Sequence, residues 1–220
     1  MNFLKLNLLL NNDWITFVFL TIFLLLVVVK LIYKERLFEL TTLFFSKKYF
    51  LKYGKESPLI FSGFNTFLFV ILNIVLSLMI LVFIIEYKPK LIENQSFYFF
   101  LKINLGTAMF FFFRFLVGYF LGLLFEVKQQ QILLTFAKMS YLFNNMLFIL
   151  PFLLFTFFIK KHNFLVFQFT LLLFSTLLII RYIFVFRTNK SLLHNQWFNF
   201  FLYLCALEIA PLLLVLKIVI

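Results

Sequence analysis

The chain is short of cysteine, histidine, acid and glycine, and each shortage removes a class of function. Cys205 is the single cysteine in 220 residues, so neither an intrachain disulfide nor a cysteine metal cluster can form. His162 and His194 stand alone in polar connections and read as solvated side chains. Asp13 is the one aspartate, which excludes mechanisms built on an aspartate pair. The five glycines make no phosphate-cradling loop, and neither an HExxH helix nor a Gly-x-Ser-x-Gly elbow occurs. The sequence therefore leads us to expect no enzyme, no metal and no cofactor.

Charge is scarce as well. Charged residues make up 13% of the chain and apolar ones 65%, against about 25% and 45–50% in a soluble domain. With a mean hydropathy of +1.08, this composition describes a polytopic membrane protein. Phenylalanine occurs 39 times and lysine far outnumbers arginine, a bias that codon usage in an AT-rich genome explains without a functional aromatic lining.

Six runs are long enough for the about 20 helical residues that a bilayer core requires. They are Trp14–Tyr33, Ser62–Ile85, Ile103–Phe125, Tyr141–Ile159, Phe164–Phe186 and Trp197–Val219. Each must be a helix, because hydrocarbon offers backbone N–H and C=O groups no partner. The expectation is an all-α transmembrane bundle of about six spans forming a single domain over 1–220. The fourth span is interrupted by Asn144, Asn145 and Pro151, so it is either short or the end of a helix beginning near Gln131. No small-residue cleavage site follows the first run, so it is expected to stay in the mature protein.

The net charge of +12 would suggest nucleic acid in a soluble protein. Here the cations lie at the ends of apolar runs, where they set orientation, and no nucleic-acid partner is expected. The connection after the first span carries Lys30, Lys34, Arg36, Lys47, Lys48, Lys52 and Lys55, the densest cluster in the chain. Basic short loops stay cytoplasmic, which puts both termini on the opposite, periplasmic side. Within the basic segment 34–56, Glu35, Glu39, Thr42 and Ser46 share one helical face, and Leu37, Leu40, Phe44 and Leu51 the other. That spacing fits one amphipathic helix along the headgroups. Lys47, Lys48 and Lys52 would then hold to anionic lipid.

Ionisable residues inside spans are the strongest pointers to chemistry, since each costs roughly 2.5–3.5 kcal/mol at a helix centre. Arg114 lies midway along the third expected span and Glu208 midway along the sixth. A pair would relieve both costs, serving either as a structural bridge or as part of a proton or ion relay. Pro211 removes an N–H and frees the Leu207 carbonyl beside that carboxylate. Gly118 and Gly122, in GxxxG spacing, would admit a close helix neighbour. Ser62, Thr66, Asn73 and Ser77 form a polar stripe suited to interhelical hydrogen bonds or to a pore lining, and Gln168 with Ser175 is similarly ambiguous.

The run Phe200-Phe-Leu-Tyr-Leu-Cys-Ala-Leu-Glu-Ile-Ala-Pro211 resembles the C-terminal signature of an inner-membrane family of Bacteroidota that is classed as a domain of unknown function. Asp13-Trp14-Ile15, Lys48–Tyr53 and the Tyr141…Pro151 segment are similar in position and type. The resemblance implies a multi-pass inner-membrane protein and supplies no activity. Together these features suggest a non-enzymatic subunit or assembly factor of an envelope complex, with the bilayer and other membrane proteins as partners. The rival reading is a small carrier that uses Glu208.

Overall fold

Apolar runs whose backbone must satisfy itself internally leave little choice but helix. The computed structural model describes residues 13–44, 48–54, 62–87, 96–124, 128–158 and 163–188. Within these, every element is an α-helix: α1 (Asp13–Ile32), α2 (Lys34–Thr41), α3 (Lys48–Tyr53), α4 (Gly63–Tyr87), α5 (Ser96–Leu124), α6 (Lys128–Phe158) and α7 (Asn163–Thr188). Five of them, α1 and α4–α7, are long and apolar enough to cross a membrane. The sixth expected span, 197–219, lies outside the described residues.

Two helices extend well past their apolar runs. α5 begins at Ser96 rather than Ile103, and α6 begins at Lys128 and continues through Asn144, Asn145 and Pro151. Of the two readings of the fourth span, a helix beginning near Gln131 is the one that α6 matches, and α5 starts earlier than expected because only Lys102 interrupted its apolar run. At 1.5 Å per residue α6 is about 46 Å long, more than the about 30 Å of hydrocarbon.

α6 is the hub. It packs on α2, α4, α5 and α7, while α1 packs on α4 and α2. Of the most apolar stretch of α6, 61% is buried, against 22% or less for α1, α5 and α7. The peripheral helices thus turn mostly apolar faces outward.

The bundle has two distinct ends. At one, Trp14 lies against Phe97 and Phe100 at the start of α5, and Phe19 meets Phe157 and Phe158 at the end of α6. At the other, α1 bends at Tyr33 into α2, and the Tyr33 ring rests edge-on against Phe64. Gly63 permits that contact, since a Cβ there would come 2.8 Å from the Tyr33 hydroxyl. The second end, called the Arg36 end below, also carries α2 and α3.

α2 and α3 fold back on each other rather than lying as one continuous helix. Leu40, Leu43, Tyr49 and Tyr53 are buried in the core, whereas Leu51 is 76% exposed. The Lys52 ammonium ties the two together, 3.1 Å from Glu39 Oε1 and 3.3 Å from Glu35 Oε2.

Candidate functional site

Three features combine polar chemistry with burial, and the helix packing sets each of them. The first joins α4 to α5. Phe100, Asn104, Thr107 and Phe111 recur at helical spacing on α5, with Gly118 and Gly122 extending the same stripe. Asn104 and Thr107 meet Asn73 and Ser77 of α4. The Asn73 amide nitrogen donates to Asn104 at both its carbonyl and Oδ1, each 3.0 Å away. Thr107 Oγ1 donates to Asn73 Oδ1 over 2.7 Å, and Ser77 Oγ is 2.7 Å from the Asn73 carbonyl and 3.1 Å from Thr107 Oγ1. Each hydroxyl has one proton, and the set uses it internally. The cluster is a helix–helix lock.

The same packing gives the register of the two helices. Phe69 lies 5.8 Å from Phe111, ring to ring. Three residues on, Arg114 is therefore level with Thr66, about one turn from the α4 start at Gly63. Arg114 thus lies on the Arg36 side of the Asn73–Asn104 contact, with ten residues of α5 following it. The expected third span, 103–125, is the later part of this helix. By the same register Gly118 and Gly122, both buried, continue past the first residue of α4.

The second feature lies at the Arg36 end. The buried Arg36 guanidinium sits 4.6 Å from the Tyr53 ring and 4.8 Å from the Phe64 ring, held between two aromatic faces. Tyr49 is fully buried and stacks on Phe136 at 5.7 Å. Burial raises the Tyr49 hydroxyl above its ordinary pKa, while Arg36 and then Ser140 of α6 draw it back. The Lys52 ammonium is held charged well beyond the usual lysine range, first by Glu39, then by Tyr53 and Glu35. On the opposite face of α6, Arg181 Nε donates to the Lys138 carbonyl over 3.2 Å, and Asn145 Nδ2 to the Leu177 carbonyl over 3.0 Å. These two bonds clamp α6 to α7.

The third feature is a groove of about 510 Å³ between α4, α5 and α6. Phe69, Ala108, Phe112 and Met139 line its length, and Asn65 and Thr66 supply polar atoms at the Arg36 end. Its exposed edge is formed by Met109, Phe112 and Leu116.

The residues expected from sequence to carry function do not converge on one place. Asn73 is in the α4–α5 lock, Gln168 is exposed on α7, and Ser175 bonds back to Leu171 of its own helix. Lys48 and Lys52 are exposed on α3. Lys47, Glu208 and Pro211 lie outside the described residues. Sequence reading missed Asn104 and Thr107, whose i, i+3 spacing ahead of Gly118 was the available signal. It also took Arg36 for a topology charge only. Among the described residues, no three of His, Cys, Asp and Glu come together to hold a metal.

A family model described as Domain of unknown function (DUF4271) matches residues 15–219. No curated protein and no solved structure matches the chain.

Proposed function

The chain belongs to the DUF4271 family, a domain of unknown function, and from that premise we propose that it is a non-enzymatic integral subunit or assembly factor of a cell-envelope complex, such as a secretion machine. One observation carries this reading: the peripheral helices present apolar faces outward along most of their length. The α4–α5 lock spends its hydroxyl protons within the contact between the two helices. α5 and α7, by contrast, expose most of their length, including Phe112, Phe120, Leu172 and Ile179. Association in a bilayer relies on packing and interhelical hydrogen bonds, and such faces, with the exposed Gln168 amide among them, suit partner spans.

In this reading the protein sits in the inner membrane of a Bacteroidota species, and the last span, 197–219, brings the count to six. The Arg36 end faces the cytoplasm, where α2 and α3 form the interfacial element and Lys48 and Lys52 meet the headgroups. Both termini then face the periplasm. The C-terminal Glu208–Pro211 motif supports the Bacteroidota assignment. It is also the feature that favours the rival reading, a small carrier whose carboxylate moves a proton or ion.

Affinity purification from native membranes in a mild detergent separates the two readings. Stoichiometric co-purifying membrane proteins, with assembly unchanged in Glu208→Gln, support the subunit. A protein that purifies alone, and whose activity in cells is abolished by Glu208→Gln, supports the carrier.

A further inference from the structure

The stripe of α6 beneath the α2–α3 fold-back is polar, and the closed fold leaves it unserved. Phe136, Ser140 and Asn144 recur every fourth residue and share one face. Tyr49 of α3 stacks on Phe136, and Phe44, just beyond α2, sets its ring 6.1 Å from those of Tyr141 and Phe148 on the flank of that face. Asn144 and Tyr49 are sealed there, each 0% exposed. Neither Nδ2 nor Oδ1 of Asn144 has a hydrogen-bond partner among the described residues. The Tyr49 hydroxyl has Arg36 and Ser140 beside it, yet makes no bond of good geometry among the described residues. The Ser140 hydroxyl turns to the Phe136 carbonyl of its own helix, 2.8 Å away.

Sealing an amide and a phenol in this way costs stability, because both give up water and gain no partner for it. The cost falls on both sides of one interface, at Tyr49 on the fold-back and at Asn144 on the hub helix. Burial of Leu40 and Leu43 opposes it and favours closure. The Lys52 tie to Glu39 and Glu35 runs between α2 and α3, so it makes the fold-back one piece without fastening it to α6.

We propose that the α2–α3 fold-back moves as one piece, a lid that lifts from α6 at the Arg36 end and admits water to Asn144, Ser140 and Tyr49. Closed, the lid buries its leucines; open, it returns the amide and the phenol to water. Opposed terms of this size place a segment at the low-stability end of a fold, where local opening precedes global unfolding. The lid stands apart from the subunit reading, because a carrier or a lone bundle would have it too.

Water access is read by thiol chemistry on the full-length chain, with the native thiol removed as Cys205→Ser. Ser140→Cys, beneath the lid, should react with a small charged methanethiosulfonate at least tenfold faster than Ile149→Cys, which is as deeply buried farther along α6. Global unfolding would expose both positions alike, so the ratio isolates the lid. Adding Asn144→Leu removes the amide that favours opening and should slow the Ser140→Cys reaction at least fivefold. If Asn144→Leu does not fold, Asn144→Val takes its place, and the ratio of the two single thiols remains decisive alone. Equal rates at the two positions, or a folded Asn144 variant that leaves the Ser140→Cys rate unchanged, overturn the proposal.

Discussion

Asn73 of α4 and Asn104 of α5 meet at mid-bundle. One amide nitrogen lies 3.0 Å from both the side-chain oxygen and the backbone carbonyl of its partner. The contact fixes depth as well as proximity, because a slide of either helix by one residue would break both bonds. Thr107 and Ser77 complete the set.

Asn73→Ala should therefore destabilise the bundle by about 1 kcal/mol, within the range measured for interhelical hydrogen bonds in membranes. Thr107→Ala should cost a similar amount. The double substitution should cost less than the sum, because each single change already strands the other partner. Unfolding titrations in mixed micelles read all three, and strict additivity would dissolve the network.

At the Arg36 end the requirement is planarity as well as charge. Arg36→Lys keeps the cation but gives up the guanidinium face between Tyr53 and Phe64, and should lose about 1 kcal/mol of stability. Arg36→Met should lose more. Equal stability for Arg36→Lys and wild type would mean that charge alone matters there.

Tyr49 gives this end a signature in pH. Its hydroxyl is raised above 10.0 by burial, so the folded state keeps the proton when the unfolded chain has lost it. Stability is then unaffected below about pH 10 and falls as pH climbs from there through the folded value. Tyrosinate absorbance near 295 nm should show one residue titrating late, and Tyr49→Phe should remove both that step and its share of the alkaline loss.

Arg114 lies about one turn from the level of the α4 start, and its long side chain can extend toward the Arg36 end. Arg114→Lys should be neutral and Arg114→Leu mild in cellular protein level. A severe loss in Arg114→Leu that Glu208→Leu rescues would instead establish an ion pair between spans.

Lys52 joins α2 to α3 through Glu39 and Glu35. Lys52→Ala should expose the 42–48 connection to limited proteolysis in vesicles, and Glu39→Gln should have the same effect in smaller degree. Unchanged cleavage in both would mean that the buried Leu40, Leu43 and Tyr49 hold the pair without it.

The sequence made some of this legible and hid the rest for physical reasons. Apolar length located five spanning helices, because hydrocarbon enforces helix wherever it is traversed. Asn73 and Ser77 were visible as part of a polar stripe. Their partners were not, because periodicity marks a face without saying which helix covers it. Arg36 looked like one more cation in a basic loop, and only the fold-back of α3, with Tyr49 and Tyr53, turns it into a buried group. The third span was expected to start at Ile103 because Lys102 breaks the apolar run, while α5 begins seven residues earlier, at Ser96. The groove is a gap between helices, and no single segment encodes it.

The central claim, that this bundle is one member of a larger membrane assembly, is tested most directly by the mass of the native particle. The tagged protein would be extracted from its own membranes and weighed by native mass spectrometry. The account predicts a defined particle that contains the 26.6 kDa chain together with other polypeptides in fixed ratio. A particle of one chain, or of whole multiples of it with nothing but lipid added, would contradict it.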